Sequence, residues 1–218
     1  MQGISEVMRH SNIAKLEAIC DLHEEAANHV ADEAEKNNGY RPKIYTDFDS
    51  MISESGIDIL DIVTDTKTHH AFAIKAMNKG ISVLTEKPMG ITLKACRKMK
   101  DVQEKNNVKL AVAENYRRDP MNRLVKALID EGAIGDLQMV IDVSVSGGGY
   151  LMHGTGWRAK KSLAGSLILE QGVHTSDLIL YFMGKAKTIY AKTGVLNPIR
   201  KTSGMLNEQL KKFYGHRV

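Results

Sequence analysis

The sequence predicts an α/β protein: a doubly wound parallel sheet followed by an α+β unit with a mostly antiparallel sheet, both sheets incomplete. Three observations carry this. Short β-branched runs alternate with helical stretches of about ten or more residues, the length that a crossover between parallel strands requires. The run from Ile57 to Thr64 is strongly apolar and β-branched, as a strand buried under helices on both faces should be. After Glu114 the rhythm changes, and Leu137 to Ser146 alternates like a strand of an open-faced antiparallel sheet.

Taken in order, Lys15 to Cys20 reads as a short strand through Leu16, Ala18 and Ile19, ending at Asp21. His23 to Asn37 is an Ala- and Glu-rich helix stopped by Asn37-Asn38-Gly39. Lys43 to Thr46 is a brief strand. Asp47 then opens the helix Phe48 to Glu54, which breaks at Gly56. The apolar strand Ile57 to Thr64 leads into a helix from Thr68 to Asn78 with a stop at Gly80. Ile81 to Thr85 is a strand, Leu93 to Asn106 a helix, and Lys109 to Ala113 the last strand of the series. Pro120 to Glu131 has proline near its start and Gly132 past its end, the asymmetry expected of helix termini. A glycine-rich loop, Gly147 to Gly165, holds the only tryptophan, Trp157. Ser166 to Met183 is helical, and Lys187 to Lys192 a further strand. The change of rhythm places a domain boundary near Tyr116, giving units 1–115 and 116–218.

Composition narrows the function. No run approaches the ~18 apolar residues of a membrane span, and the first residues lack a basic segment followed by an apolar one, so a cytoplasmic location is expected. The net charge of +4 is mild and its lysines and arginines are scattered, which argues against a nucleic-acid partner. Cys20 and Cys96 have neither metal-ligand nor redox spacing, and no His/Cys cluster predicts a metal.

The most informative residues are Thr85-Glu86-Lys87-Pro88, directly after the strand Ile81-Ser82-Val83-Leu84. They place a lysine at the carboxyl end of a parallel strand, the edge where open α/β sheets bind ligands. Asp21 ends its own strand in a carboxylate that can accept two hydrogen bonds from a vicinal diol. Glu170 and His174 stand four apart on the predicted Ser166 to Met183 helix, hence on one face, where the carboxylate could orient the imidazole or hold substrate hydroxyls.

These residues carry a resemblance. Thr64 with His69, Ala76-Met77-Asn78-Lys79-Gly80 and Val83-Leu84-Thr85-Glu86-Lys87-Pro88 resemble the signature of the glucose-fructose oxidoreductase, inositol dehydrogenase and rhizopine-catabolism family (Gfo/Idh/MocA) of nicotinamide-dependent oxidoreductases. Asn115-Tyr116-Arg117-Arg118-Asp119-Pro120 resembles its crossover into the substrate domain, and Gly132-Ala133-Ile134-Gly135 its turn into the large sheet. Trp157-Arg158, Ala164-Gly165 and Glu170-Gln171-Gly172-Val173-His174-Thr175-Ser176-Asp177 resemble its active-site helix. The resemblance implies a Rossmann domain and hydride transfer between NAD and a sugar or polyol, with Lys87 and His174 beside the reacting carbon. Glu170 stands where the family usually has aspartate. Cofactor contacts are implied for Gly3, Asp21, Thr64, His69, Glu86, Lys87, Pro88 and Asn115, and substrate contacts for Arg117, Trp157, Arg158 and Asp177. Asp21 would repel a 2'-phosphate, which favours NAD over NADP. A homo-oligomer formed through the second sheet is implied as well.

Two departures qualify this expectation. The family's first strand and most of its glycine-rich phosphate loop are missing upstream of Gly3, and the chain stops before several strands of the second sheet. The 218-residue chain alone is therefore expected to bind NAD weakly. Two other classes stay open: an NAD-using glycosidase of the same fold, and a non-catalytic ligand-binding regulator.

Overall fold

The computed structural model describes residues 14–144, 157–158 and 160–194. Gly3 and the glycine-rich segment 145–156 lie outside the described residues. In the first half, strand and helix alternate as the sequence predicts: β1 (Ala18–Cys20), α1 (Glu24–Asn38), β2 (Lys43–Tyr45), α2 (Phe48–Glu54), β3 (Ile59–Ile62), α3 (His69–Asn78), β4 (Ser82–Thr85), α4 (Leu93–Asn106) and β5 (Leu110–Val112). A 3-10 turn at Tyr116–Arg118 leads into α5 (Pro120–Asp130), and α6 (Lys161–Ala164) precedes α7 (Leu167–Met183).

Every strand pair is parallel. β1 pairs with β2 through Ile19 and Ile44. β3, β4 and β5 form a second ladder in that order, with Leu60 opposite Val83 and Val83 opposite Leu110. One core cluster reaches both ladders, Ala18, Cys20 and Tyr45 packing against Met51, Leu60, Ile62, Met77, Val83 and Met99, while Ile19 and Ile44 pack against Ala27 and Ala31 of α1 in a second. The two ladders are nevertheless separate sheets among the described residues. Ile59, Val63 and Leu22 stay exposed.

Side-chain caps fix where the helices start. Asp47 accepts the Ser50 N–H at 2.8 Å to open α2, and Thr92 accepts the Ala95 N–H at 3.2 Å to open α4. Asn107, at φ 52°, ends α4 in the left-handed region that an Asx side chain tolerates. The capped starts lie at the carboxyl edge of the strands, where the site is, and Asn107 returns the chain to the opposite edge at the start of β5.

The second half departs from expectation in its strands. Among the described residues, neither 137–144 nor 187–192 joins a ladder. Met139, Ile141 and Val143 stand exposed, as do Ile189 and Tyr190. Alternation specifies which face of a strand is apolar, but a ladder also needs a neighbouring backbone to take its N–H and C=O groups, and none is placed beside these segments among the described residues. α5 follows the same logic: Met121, Leu124, Val125 and Leu128 form an apolar stripe, and no residue of that helix is buried.

Candidate active site

The carboxyl ends of β1, β3, β4 and β5 present Asp21, Thr64, Lys87 and Glu114 in turn, because parallel strands all release their chain at one edge. α7 crosses this edge and supplies the opposing groups. Its N-terminus is set by Ser166, whose hydroxyl accepts the Leu169 N–H at 3.1 Å. Gly165, at φ +84°, lets the chain turn into the helix, and a Cβ there would lie 2.6 Å from Leu169 Cδ2 and 3.5 Å from Ile91 Cγ2. A backbone hydrogen bond from the Lys67 N–H to the Leu163 carbonyl, 3.1 Å, ties α6 to the loop after β3.

Lys87 reaches across to this helix. Its ammonium donates to the Glu170 backbone carbonyl at 2.9 Å and to Glu170 Oε1 at 3.1 Å. The Glu170 side chain is 4% exposed and that of Lys87 15%, so the pair lies largely out of water. Arg158 Nε donates to the same Glu170 oxygen at 3.2 Å, and its guanidinium covers the Trp157 ring with a 4.3 Å separation. Glu170 Oε2 is buried and has no hydrogen-bond partner among the described residues.

One helical turn later, His174 is also buried. Its Nδ1 lies 2.7 Å from Glu114 Oε1, and the Tyr116 ring stacks on the imidazole with centroids 4.1 Å apart and planes 11° apart. The same Glu114 oxygen accepts the Tyr116 N–H at 3.1 Å. The shared face expected for Glu170 and His174 is present, but the two do not serve each other. Glu170 answers Lys87 and Arg158, while the imidazole answers Glu114.

The remaining predicted residues make contacts of their own. Arg117 and Asp177 form a forked ion pair, with Arg117 Nε donating at 2.6 Å to Oδ2 and Nη2 donating to Oδ1. Asp177 raises the guanidinium's basicity through this hydrogen bond, more than burial lowers it. The two residues therefore clamp the 3-10 turn to α7. His69 is almost wholly buried, with Nδ1 3.0 Å from the Pro88 carbonyl and Nε2 3.1 Å from the Thr64 carbonyl. It bridges the turns after β3 and β4, which puts its ring inside the scaffold. Thr64 faces outward and shares a hydrogen bond with Thr68 at 2.8 Å, while the Glu86 carboxylate accepts the Lys87 N–H at 3.0 Å. Asp21 accepts the His23 N–H at 2.9 Å and remains partly exposed at its strand end. Asn115 lines a shallow cavity of about 320 Å³ with Tyr116, Arg118 and Asp119. Neither Lys87 nor His174 forms its wall, so it is not where the reactive groups meet.

Glu114 is the residue that sequence reasoning missed. It follows a three-residue strand and carries no periodic signal. The rule that selected Asp21 and Lys87, a polar residue at the end of a parallel strand, selects it too.

Among the described residues no group of three His, Cys, Asp or Glu side chains is arranged to hold a metal, and no described helix is long and apolar enough to cross a membrane. A parallel sheet whose ligand edge carries a lysine and a buried carboxylate–imidazole pair is an arrangement able to move protons at a bound small molecule. Residues 2–114 match the oxidoreductase family with an NAD-binding Rossmann fold, and residues 122–206 match the GFO/IDH/MocA C-terminal domain. The chain belongs to the Gfo/Idh/MocA family of oxidoreductases. It is similar to the levoglucosan dehydrogenase of Pseudarthrobacter phenanthrenivorans, 32% identical over 81% of this chain and 45% of that protein. The D-apiose dehydrogenase of Rhizobium rhizogenes is 28% identical over 85% of this chain and 51% of its own length. Among solved structures, the WlbA dehydrogenase from Bordetella pertussis in complex with NADH and UDP-GlcNAcA superposes with a TM-score of 0.77 at 27% identity, covering 90% of this chain and 57% of that one. The chain spans about half the length, or less, of the curated relatives it matches.

Proposed function

We propose that this chain carries the catalytic centre of an NAD-dependent oxidoreductase acting on a CH–OH group of a sugar or polyol. The observation that carries this reading is the pair of clamps between strand ends and α7: Lys87 on Glu170, and Glu114 on His174, one helical turn apart. Dehydrogenating an alcohol requires a base for the hydroxyl proton and a cation to steady the developing alkoxide. His174 and Lys87 are those two groups. The described residues fit the cofactor at two points: Asp21 offers a partly exposed carboxylate for a ribose diol, and Thr64 with Glu86, Lys87 and Pro88 lines the neighbouring strand ends. When bound, NAD supplies the hydride acceptor.

The protein's own work is then specific. Lys87 donates to the substrate oxygen as charge builds on it. His174 takes the proton from that hydroxyl. Glu170 keeps Lys87 aimed, and Arg158 supports Glu170 from the Trp157 side. Arg117 and Asp177, paired with each other, act by holding the turn and not by gripping substrate. The relatives named as levoglucosan and D-apiose dehydrogenases support a carbohydrate as the substrate class. We place the division between units at Tyr116, between the two matched family regions, and assign the protein to the cytoplasm as a homo-oligomer joined through its second unit.

The test is a panel of sugars and polyols incubated with the purified protein and NAD, following NADH absorbance. Substrate-dependent NADH that disappears in Lys87→Ala supports the reading. Release of an aryl leaving group without net NADH replaces it with the NAD-using glycosidase, and sugar binding without either product replaces it with a non-catalytic binder.

A further inference from the structure

We infer that Glu114 is the positioning residue for His174: it fixes the ring tautomer so that Nε2 is the nitrogen left bare to receive the substrate proton. An ionised carboxylate only accepts hydrogen bonds, so at 2.7 Å the imidazole must be the donor and the proton must sit on Nδ1. A neutral imidazole has one N–H, and Nε2 is then unprotonated. Both side chains are buried, His174 at 7% and Glu114 at 6%, so water does not compete for the contact.

The surroundings lock this arrangement from two further directions. The Tyr116 ring lies flat on the imidazole and opposes rotation of the ring that would carry Nδ1 away from the carboxylate. The Tyr116 backbone is held by its own N–H on Glu114 Oε1, by the Asn122 amide on its carbonyl at 2.9 Å, and by the Arg117–Asp177 fork one residue on. That fork lands on α7 three residues after His174, so ring, turn and helix are braced as a unit. Carboxylate partners of this kind orient an imidazole and stabilise the imidazolium formed when it takes a proton, and their loss typically costs 10- to 100-fold in activity or affinity at metal-bound histidines. By itself Glu170, the carboxylate on the same helix face, does none of this, because its contacts go to Lys87 and Arg158.

The experiment reads the tautomer directly. Protein labelled with ¹⁵N-histidine is measured on the alkaline side of the His174 titration, with His174→Gln used to assign its resonances. Nδ1 is expected to resonate as a protonated nitrogen and Nε2 as a bare one. In Glu114→Leu that preference should be lost. Glu114→Gln, whose amide oxygen can still accept from Nδ1, should keep it and shows that the fold tolerates substitution. A protonated Nε2 in the unaltered protein overturns the inference, as does a tautomer unchanged in a folded Glu114→Leu variant. This arm needs neither cofactor nor substrate, so it stands or falls separately from the oxidoreductase reading. The kinetic arm rests on that reading: kcat should fall roughly 10- to 100-fold in Glu114→Leu with KM nearly unchanged, and Glu114→Gln should recover part of the loss. A change confined to KM would make Glu114 a binding residue instead.

Discussion

Replacing Lys87 by methionine keeps the aliphatic stem and removes the ammonium, so it isolates the charge. Glu170 would then be left as a carboxylate 4% exposed, with one oxygen unpartnered among the described residues and Arg158 Nε donating to the other. Breaking a buried ion pair by removing one partner costs about 3–5 kcal/mol. The remaining Arg158 contact offsets part of this, and we expect about 2–4 kcal/mol. For a urea slope of about 2 kcal/mol/M, the midpoint should drop by about 1–2 M. The double variant Lys87→Met, Glu170→Leu removes both charges together and should recover most of the loss, since apolar replacement of a whole buried pair is often neutral or stabilising. Turnover should stay at least about 10²-fold down in both, which separates the pair's contribution to stability from its contribution to chemistry. Urea unfolding followed by circular dichroism, with kinetics on the same samples, gives both numbers. A loss under about 1 kcal/mol in Lys87→Met would mean that the pair behaves like a solvated surface bridge, and the argument from its burial would be wrong.

Three other outcomes are expected. Burial first, and then the negative charge of Glu86, raise the Asp61 carboxyl above its ordinary range. The folded state therefore holds that proton more tightly than the unfolded one, and stability should fall as pH rises from about 4 through the raised folded value. Asp61→Asn should lack that loss and be the more stable protein at neutral pH, with thermal midpoints between acid and neutral pH as the check; parallel profiles would refute it. Asp21→Ala should weaken NAD binding by about 1–3 kcal/mol and narrow the discrimination against NADP, and an unchanged preference in titrations with both cofactors would remove Asp21 from the ribose site. His174→Ala should lower turnover at least ~10²-fold with the circular dichroism spectrum preserved, whereas near-normal turnover would take the imidazole out of the mechanism.

The sequence made the strand ends legible because the parallel sheet imposes a repeating grammar. Once Ile57 to Thr64 and Ile81 to Thr85 are strands with a helix between them, Lys87 must emerge at the ligand edge. The i, i+4 spacing likewise placed Glu170 and His174 on one face of α7. What the pattern could not supply was the pairing between elements. Periodicity reports which side of a helix is turned inward, and says nothing of which strand end it meets, so Glu114 was invisible as the partner of His174. For the same reason nothing in the sequence showed that Arg117 and Asp177, sixty residues apart, pair with each other. His69 shows the converse case: its helical position was legible, and its two backbone carbonyl partners were not.

The two clamps on α7 also constrain how that helix can sit. Each residue along a helix advances 1.5 Å and turns about 100°. Sliding α7 by a single residue would swing Glu170 away from Lys87 and His174 away from Glu114 in the same step. The helix is thus indexed against β4 and β5 at two points, like a key cut to two pins of opposite sign. Strand β4 offers a cation and asks for an anion, while β5 offers an anion and asks for a proton donor. Swapping the order of the two residues on the helix would set carboxylate against carboxylate and cation against imidazole. Alignment of the second unit on the first and assembly of the reactive pair are therefore one event, read by one set of contacts.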